Sequence, residues 1–202
     1  VEDCRAKLAA ATGAKASGVV FTSGGTEANR LALIATGRSR ILASAVEHPA
    51  VTAHCPPENL LPVDAQGRLD LTALQAALAE DGADTVVSLM LANNETGAIQ
   101  PVAEAAAIAH AAGALLHCDA VQGLGKLPIA LADIGADMLS VSAHKIGGPA
   151  GVGALILAQG IVLTGTRAAG GQEQGRRPGT ENLAGIAGFG AALDHLAAGL
   201  AD

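Results

Sequence analysis

Aromatic residues are nearly missing from this chain: two Phe, no Tyr and no Trp among 202 residues. The core must therefore be assembled from Ala, Val, Leu and Ile, and half of the residues are hydrophobic, enough for a sizeable one. Basic runs and aromatic–basic interleaving are absent too, and the formal charge is −7, so no nucleic-acid partner is expected. No uninterrupted apolar stretch reaches about 18 residues and no signal peptide opens the chain, which predicts a soluble, cytoplasmic protein without a membrane partner. Cysteine is scarce. Cys4, Cys55 and Cys118 are odd in number and far apart, which fits reduced thiols. Neither a GxxxxGK[ST] loop nor a GxGxxG after the first strand occurs, which argues against a P-loop NTPase or a dinucleotide binder. Glycine, by contrast, is abundant at 26 residues, but it punctuates loops rather than forming a repeat.

What is present reads as alternating strand and helix. Helices are expected over Glu2–Thr12, from near Thr26, from His48-Pro49, over Asp70–Ala79, over Pro101–Ala112 and over Thr180–Leu200. Strands are expected over Gly18–Thr22, Arg40–Ala43, Leu60–Val63, Thr85–Leu91, Ala114–Cys118, Met138–Ser142 and Gly153–Leu157. The strands are apolar throughout rather than alternating. That is the signature of an α/β fold with a mostly parallel sheet covered by helices on both faces. The chain opens at Val1 within a helix-like stretch and stops at Asp202 after another, so it is expected to be one domain cut from something longer.

In such sheets ligands bind beyond the carboxyl ends of the strands. Polar residues gather there: Gly24-Gly25-Thr26, His48, Asn93-Asn94-Glu95, Asp119 and Lys145 each follow a strand. The glycine turn Ser23–Glu27, running into a helix, is either an anion site or a plain strand–turn–helix capped by Thr26. Asp119 suits a cationic ring nitrogen, a helix cap or a salt bridge. His117-Cys118-Asp119 is not read as a metal site, because neighbours in a strand point to opposite faces. Lys145, in Ser142-Ala143-His144-Lys145, is either a turn lysine on the surface or one kept for its amine. His48 is either a cap or a ring that stacks and carries protons, and Asn94 and Gln122 suit a ring oxygen or a substrate carboxylate. A lysine, a carboxylate and an anion site on one rim are what pyridoxal 5'-phosphate requires.

The set resembles the cysteine desulfurase branch of the class V aminotransferases, fold type I enzymes that use pyridoxal phosphate. The resemblance rests on SGGTEANR at Ser23–Arg30, EHPAV at Glu47–Val51 and NNETG at Asn93–Gly97. It continues through HCDAVQGLGKLP at His117–Pro128, SAHKIGGPAGVGAL at Ser142–Leu155 and GGQEQGRRPGTEN at Gly170–Asn182. The resemblance implies that Lys145 is the Schiff-base lysine and that Asp119 pairs with the pyridine nitrogen. By the same resemblance His48 stacks on the ring and is placed to move protons, and Gln122 bonds the phenolic oxygen. Gly25, Thr26, Ser142 and His144 would hold the phosphate, and Asn94 would sit near the ring oxygen and the substrate carboxylate. Thr180 would reach the phosphate of a partner subunit, which implies a homodimer. The reaction implied converts L-cysteine to L-alanine and hands the sulfur, through an enzyme persulfide, to an acceptor protein for iron–sulfur cluster or thio-cofactor assembly.

The family's N-terminal arm and small C-terminal domain have no counterpart here, and that domain carries the nucleophilic cysteine and the arginine that grips the substrate. None of the three cysteines resembles that nucleophile. Residues 1–202 are thus expected to be the cofactor-binding large domain, with little or no turnover alone. A selenocysteine lyase or another class V aminotransferase is the alternative within cofactor enzymes. A non-catalytic scaffold is the alternative outside them, and intact Lys145, Asp119 and His48 argue against it.

Overall fold

The structure is a computed structural model and describes residues 1–164 and 170–199. Its seven strands are β1 (Val19–Thr22), β2 (Arg40–Ser44), β3 (Leu60–Leu61), β4 (Thr85–Met90), β5 (Leu115–Asp119), β6 (Met138–Ser142) and β7 (Gly153–Leu157). They form one sheet in the order β1-β7-β6-β5-β4-β2-β3. Pairing is parallel from β3 to β6, and β7 runs antiparallel to both of its neighbours. The β6–β7 connection, residues 143–152, holds one short 3-10 turn and no crossover helix, which suits an antiparallel return. The carboxyl ends of β1, β2, β4, β5 and β6 therefore share one rim.

Among the described residues six α-helices cover the sheet: α1 (Glu2–Thr12), α2 (Gly25–Ile34), α3 (Pro49–Thr52), α4 (Leu71–Ala77), α5 (Val102–Ala111) and α6 (Leu183–Gly199). Strand residues alternate between two cores, as the pleat requires. Val19, Phe21, Leu116 and Cys118 pack with Leu8 of α1, Leu74 of α4, Ala105 of α5 and Phe189 of α6. Val20, Val86, Met138 and Leu155 pack with Ala28 and Ala32 of α2 and Val51 of α3. Both faces are thus buried, and the apolar runs of the sequence follow from that. Among the described residues no helix is long and apolar enough to cross a membrane.

Differences from the sequence-based bounds have local causes. The third strand stops at Leu61, before Pro62. The helix expected from Asp70 starts at Leu71, because Asp70 is its N-cap and accepts the N–H groups of Thr72 at 2.9 Å and Ala73 at 3.1 Å. Pro101 caps α5 rather than opening it. The closing helix begins at Leu183, not Thr180, where the Asn182 side chain accepts the N–H of Gly185 at 3.0 Å. Its expected end at Leu200 lies outside the described residues. Asp119 is the last residue of β5 rather than the first after it.

One feature of the sheet interior escaped the sequence reading. On the α2 face, buried His117 is held between Ser88 Oγ on β4, 2.9 Å from Nδ1, and Ser140 Oγ on β6, 2.8 Å from Nε2. One ring nitrogen donates and the other accepts, which suits a neutral imidazole. Burial pushes its pKa down to about 3. His117 and Cys118 do point to opposite faces, and among the described residues no three His, Cys, Asp or Glu side chains are placed to hold a metal ion.

Candidate active site

At the shared rim lies a cavity of about 290 Å³. Gly25, Thr26, His48, Asn94, Asp119, Gln122, His144 and Lys145 all line it, joined by Asn29 and Met90. Residues up to 120 positions apart in sequence meet here because each stands at the end of a strand or the start of a helix on the same edge of the sheet. A larger groove between α4 and α5 carries none of the chemistry-bearing residues.

The glycine turn opens α2 at Gly24, so Thr26 lies inside the first turn and is not the cap. No side chain bonds the cap position, and the first helical N–H groups of α2 have no intrahelical partner. The glycines allow the close approach. A Cβ on Gly25 would fall 2.6 Å from Val121 Cγ2, and one on Gly153 would fall 2.6 Å from Val141 O and 2.7 Å from the Gly24 carbonyl carbon. Ser142 does not line the cavity itself. It stands just behind, its Oγ 2.8 Å from His144 Nδ1.

Asp119 is the buried charge-bearing group of the site, at 7 % exposure. Its Oδ1 accepts the Val121 N–H at 3.0 Å, and its Oδ2 accepts the Asn29 amide at 2.6 Å. Burial pushes its pKa up, while the Val121 N–H, the Asn29 amide and the nearby His48 oppose the rise. Among the described residues it caps no helix and makes no ion pair. Nearby Glu47 is buried, with Oε1 accepting the Met90 N–H at 2.7 Å and Oε2 without a partner among the described residues. Burial pushes its carboxyl well above the usual range, assisted by the Asp119 charge.

His48 is both a cap and a cavity residue. Its Nδ1 accepts the Ala50 N–H at 3.1 Å, which leaves Nε2 for proton exchange. Gln122 turns its Oε1 to the Lys126 ammonium at 2.9 Å, leaving the amide nitrogen as its donor. Lys145 sits in a short 3-10 turn, Ala143–Ile146, which Gly147 closes at φ 81°. Among the described residues no carboxylate is in ion-pair distance of its ammonium.

Thr180 is not in this cavity. It is exposed and lies with Arg177 and Asn182 beside Ser23 and Gly151. The three cysteines are free and buried, and burial pushes Cys4 and Cys55 up to about 11 and Cys118 well above its usual value. None is poised as a thiolate. The residue the sequence reading left without a role is Asn29. The signal was its spacing, four residues after Gly25, which puts both on one helix face.

Relatives share this arrangement of chain. A cysteine desulfurase from Sinorhizobium fredii is 48% identical over 94% of this chain and 52% of its own length. One from Cereibacter sphaeroides is 50% identical over 88% of this chain and 49% of its own. The chain thus spans about half the length of the curated relatives it matches. Among solved structures, a NifS-like protein from Rickettsia africae superposes with a TM-score of 0.89 at 38% identity, covering 96% of this chain and 56% of its own. DndA from Streptomyces lividans does so with a TM-score of 0.84 at 38% identity, covering 98% and 60%. The family model described as aminotransferase class-V matches residues 1–202, and the chain belongs to that family.

Proposed function

We propose that residues 1–202 are the cofactor-binding large domain of a pyridoxal-phosphate-dependent cysteine desulfurase. The observation that carries this reading is that Lys145, Asp119 and the N-terminus of α2 line one cavity. Their chemistry fits the group. Lys145 offers an amine to the aldehyde carbon. Asp119 offers a buried carboxylate to the ring nitrogen, and a cationic N–H against it would favour its ionised form. The N–H groups of Gly25 and Thr26, with Ser142 and His144 behind them, suit the phosphate. Gln122 would donate to the ring oxygen, Asn94 would do so with the amide hydrogen not given to Glu95 Oε1 at 2.6 Å, and His48 would lie against the ring face. Thr180 lies outside this cavity, and by the resemblance it would reach the phosphate of a second subunit in a homodimer.

When bound, the cofactor would supply an electron sink for charge developing at the substrate α-carbon. The protein's own part is to hold and move protons. Lys145 Nζ and His48 Nε2 are the two groups able to take the α proton of L-cysteine. The sulfur would pass to an acceptor protein in a cytoplasmic route of iron–sulfur or thio-cofactor assembly. The names of the relatives support cysteine as substrate.

The test is a titration of the purified chain with pyridoxal phosphate and then L-cysteine, followed by visible absorbance. Saturable binding with a visible band, altered by L-cysteine more than by L-serine, is the expected result. No binding would defeat the cofactor reading. Binding without any response to L-cysteine would favour a scaffold.

A further inference from the structure

We propose that Asn29 is a positioning residue for Asp119: carried on the same helix face as Gly25, it fixes the carboxylate in its ionised form at a set distance from the anion cradle. For the identity of the bound group this rests on the pyridoxal phosphate reading. For Asp119 itself it does not.

Four observations carry it. Asn29 is 1% exposed, on a helix that packs against β5 and β6. Its Nδ2 meets Asp119 Oδ2 at 2.6 Å, short for a nitrogen donor, as expected where the acceptor is charged. The amide has one workable orientation, because the other would set Oδ1 against a carboxylate oxygen. In that orientation Oδ1 is buried without a hydrogen-bond partner among the described residues. An amide retained for stability would have both ends satisfied. This one leaves an acceptor unpaired in order to serve Asp119.

The helix acts as a ruler. Gly25 and Asn29 are four residues apart, a rise of about 6 Å along α2. One rigid element therefore holds both the N–H groups suited to an anion and the donor that aims the carboxylate. A loop could not fix that spacing as closely.

Titratable groups approach Asp119 from several sides. Glu47 and His48 come from the β2–α3 connection, His144 and Lys145 from the turn after β6, and His117 stands two residues back on β5. From α2 comes only the uncharged amide of Asn29. Removing it therefore takes away a donor that favours the anion without changing any charge.

The test uses the full chain labelled with ¹³C at aspartate carboxyls, with the Asp119 signal identified through Asp119→Asn. The titration midpoint of Asp119 is compared in wild type, Asn29→Leu and Asn29→Ala. An upward move of about one pH unit or more in the variants is expected. An unchanged midpoint would overturn the proposal, and so would loss of the fold in both variants, which would make Asn29 a plain core residue. In a second reading, ¹⁵N-labelled pyridoxal phosphate is added. Its ring nitrogen resonance should move toward the unprotonated position in the variants while the link to Lys145 persists. A shifted midpoint in a chain that binds no pyridoxal phosphate would uphold the role of Asn29 and defeat the cofactor reading alone.

Discussion

The Arg5 guanidinium grips both carboxylate oxygens of Glu173 at 2.9 Å, across 168 residues of chain. Both side chains are buried, at 7% and 1% exposure. Glu173 Oε2 also accepts the Phe21 N–H at 2.9 Å, and Arg5 donates to Val19 O at 2.6 Å. The two residues thus occupy the outer edge of β1, where a further strand would otherwise pair. Glu173 and Gln174 take left-handed conformations, φ 48° and 59°, to reach it. The same segment leads through Arg177, paired with Glu27 at 2.9 Å, to Thr180.

Cutting one partner of this pair should be costly. Glu173→Ala leaves the buried guanidinium with only the exposed Glu2 carboxylate, 3.2 Å from its Nε, and a loss of about 2–4 kcal/mol in urea unfolding is expected. Arg5→Met combined with Glu173→Leu should recover only part of that, because the Phe21 N–H and Val19 O then lose their side-chain partners. A single-variant loss below about 1 kcal/mol would show the pair to be peripheral.

His117 should shape the acid limb of stability. Its folded pKa, about 3, lies below the ordinary 6.5, so the unfolded chain binds the extra proton. The contribution is fully present above pH 6.5 and is lost as pH falls toward 3, at up to about 1.4 kcal/mol per pH unit. His117→Gln should flatten the decline over that window relative to wild type. Parallel curves for the two proteins would contradict it. Asp119 and Glu47, whose values are raised, act in the opposite sense and cancel in the comparison.

Gly25→Leu tests the cradle, with a side chain too large for a shift of Val121 alone to accommodate. The added Cβ meets Val121 Cγ2 at 2.6 Å, beside the proposed phosphate site. Overpacking of about 1–3 kcal/mol is expected. It should appear as roughly tenfold or greater weakening of pyridoxal phosphate binding by calorimetry, with the fold retained. Unchanged binding would move the phosphate away from this turn.

The rim was legible in the sequence because Lys145, Asp119 and His48 each interrupt apolar runs at strand ends, where a ligand site in this architecture must lie. The resemblance assigned Thr180 to a partner's phosphate, and it lies outside this cavity. Arg5–Glu173, Ser88–His117–Ser140 and Asn29–Asp119 were not legible, because each joins polar residues that look ordinary until distant segments meet. Helix starts slipped by one to three residues wherever the cap, Asp70 or Asn182, was counted as helix.

The most direct test of the site is to find which lysine takes the cofactor. The chain has four: Lys7, Lys15, Lys126 and Lys145. The protein is incubated with pyridoxal phosphate, reduced with borohydride, digested and mapped by mass spectrometry. The pyridoxyl mark should fall on Lys145 and vanish in Lys145→Ala. A mark on Lys126 instead, or an equal spread over all four lysines, would contradict the assignment of this cavity as the cofactor site.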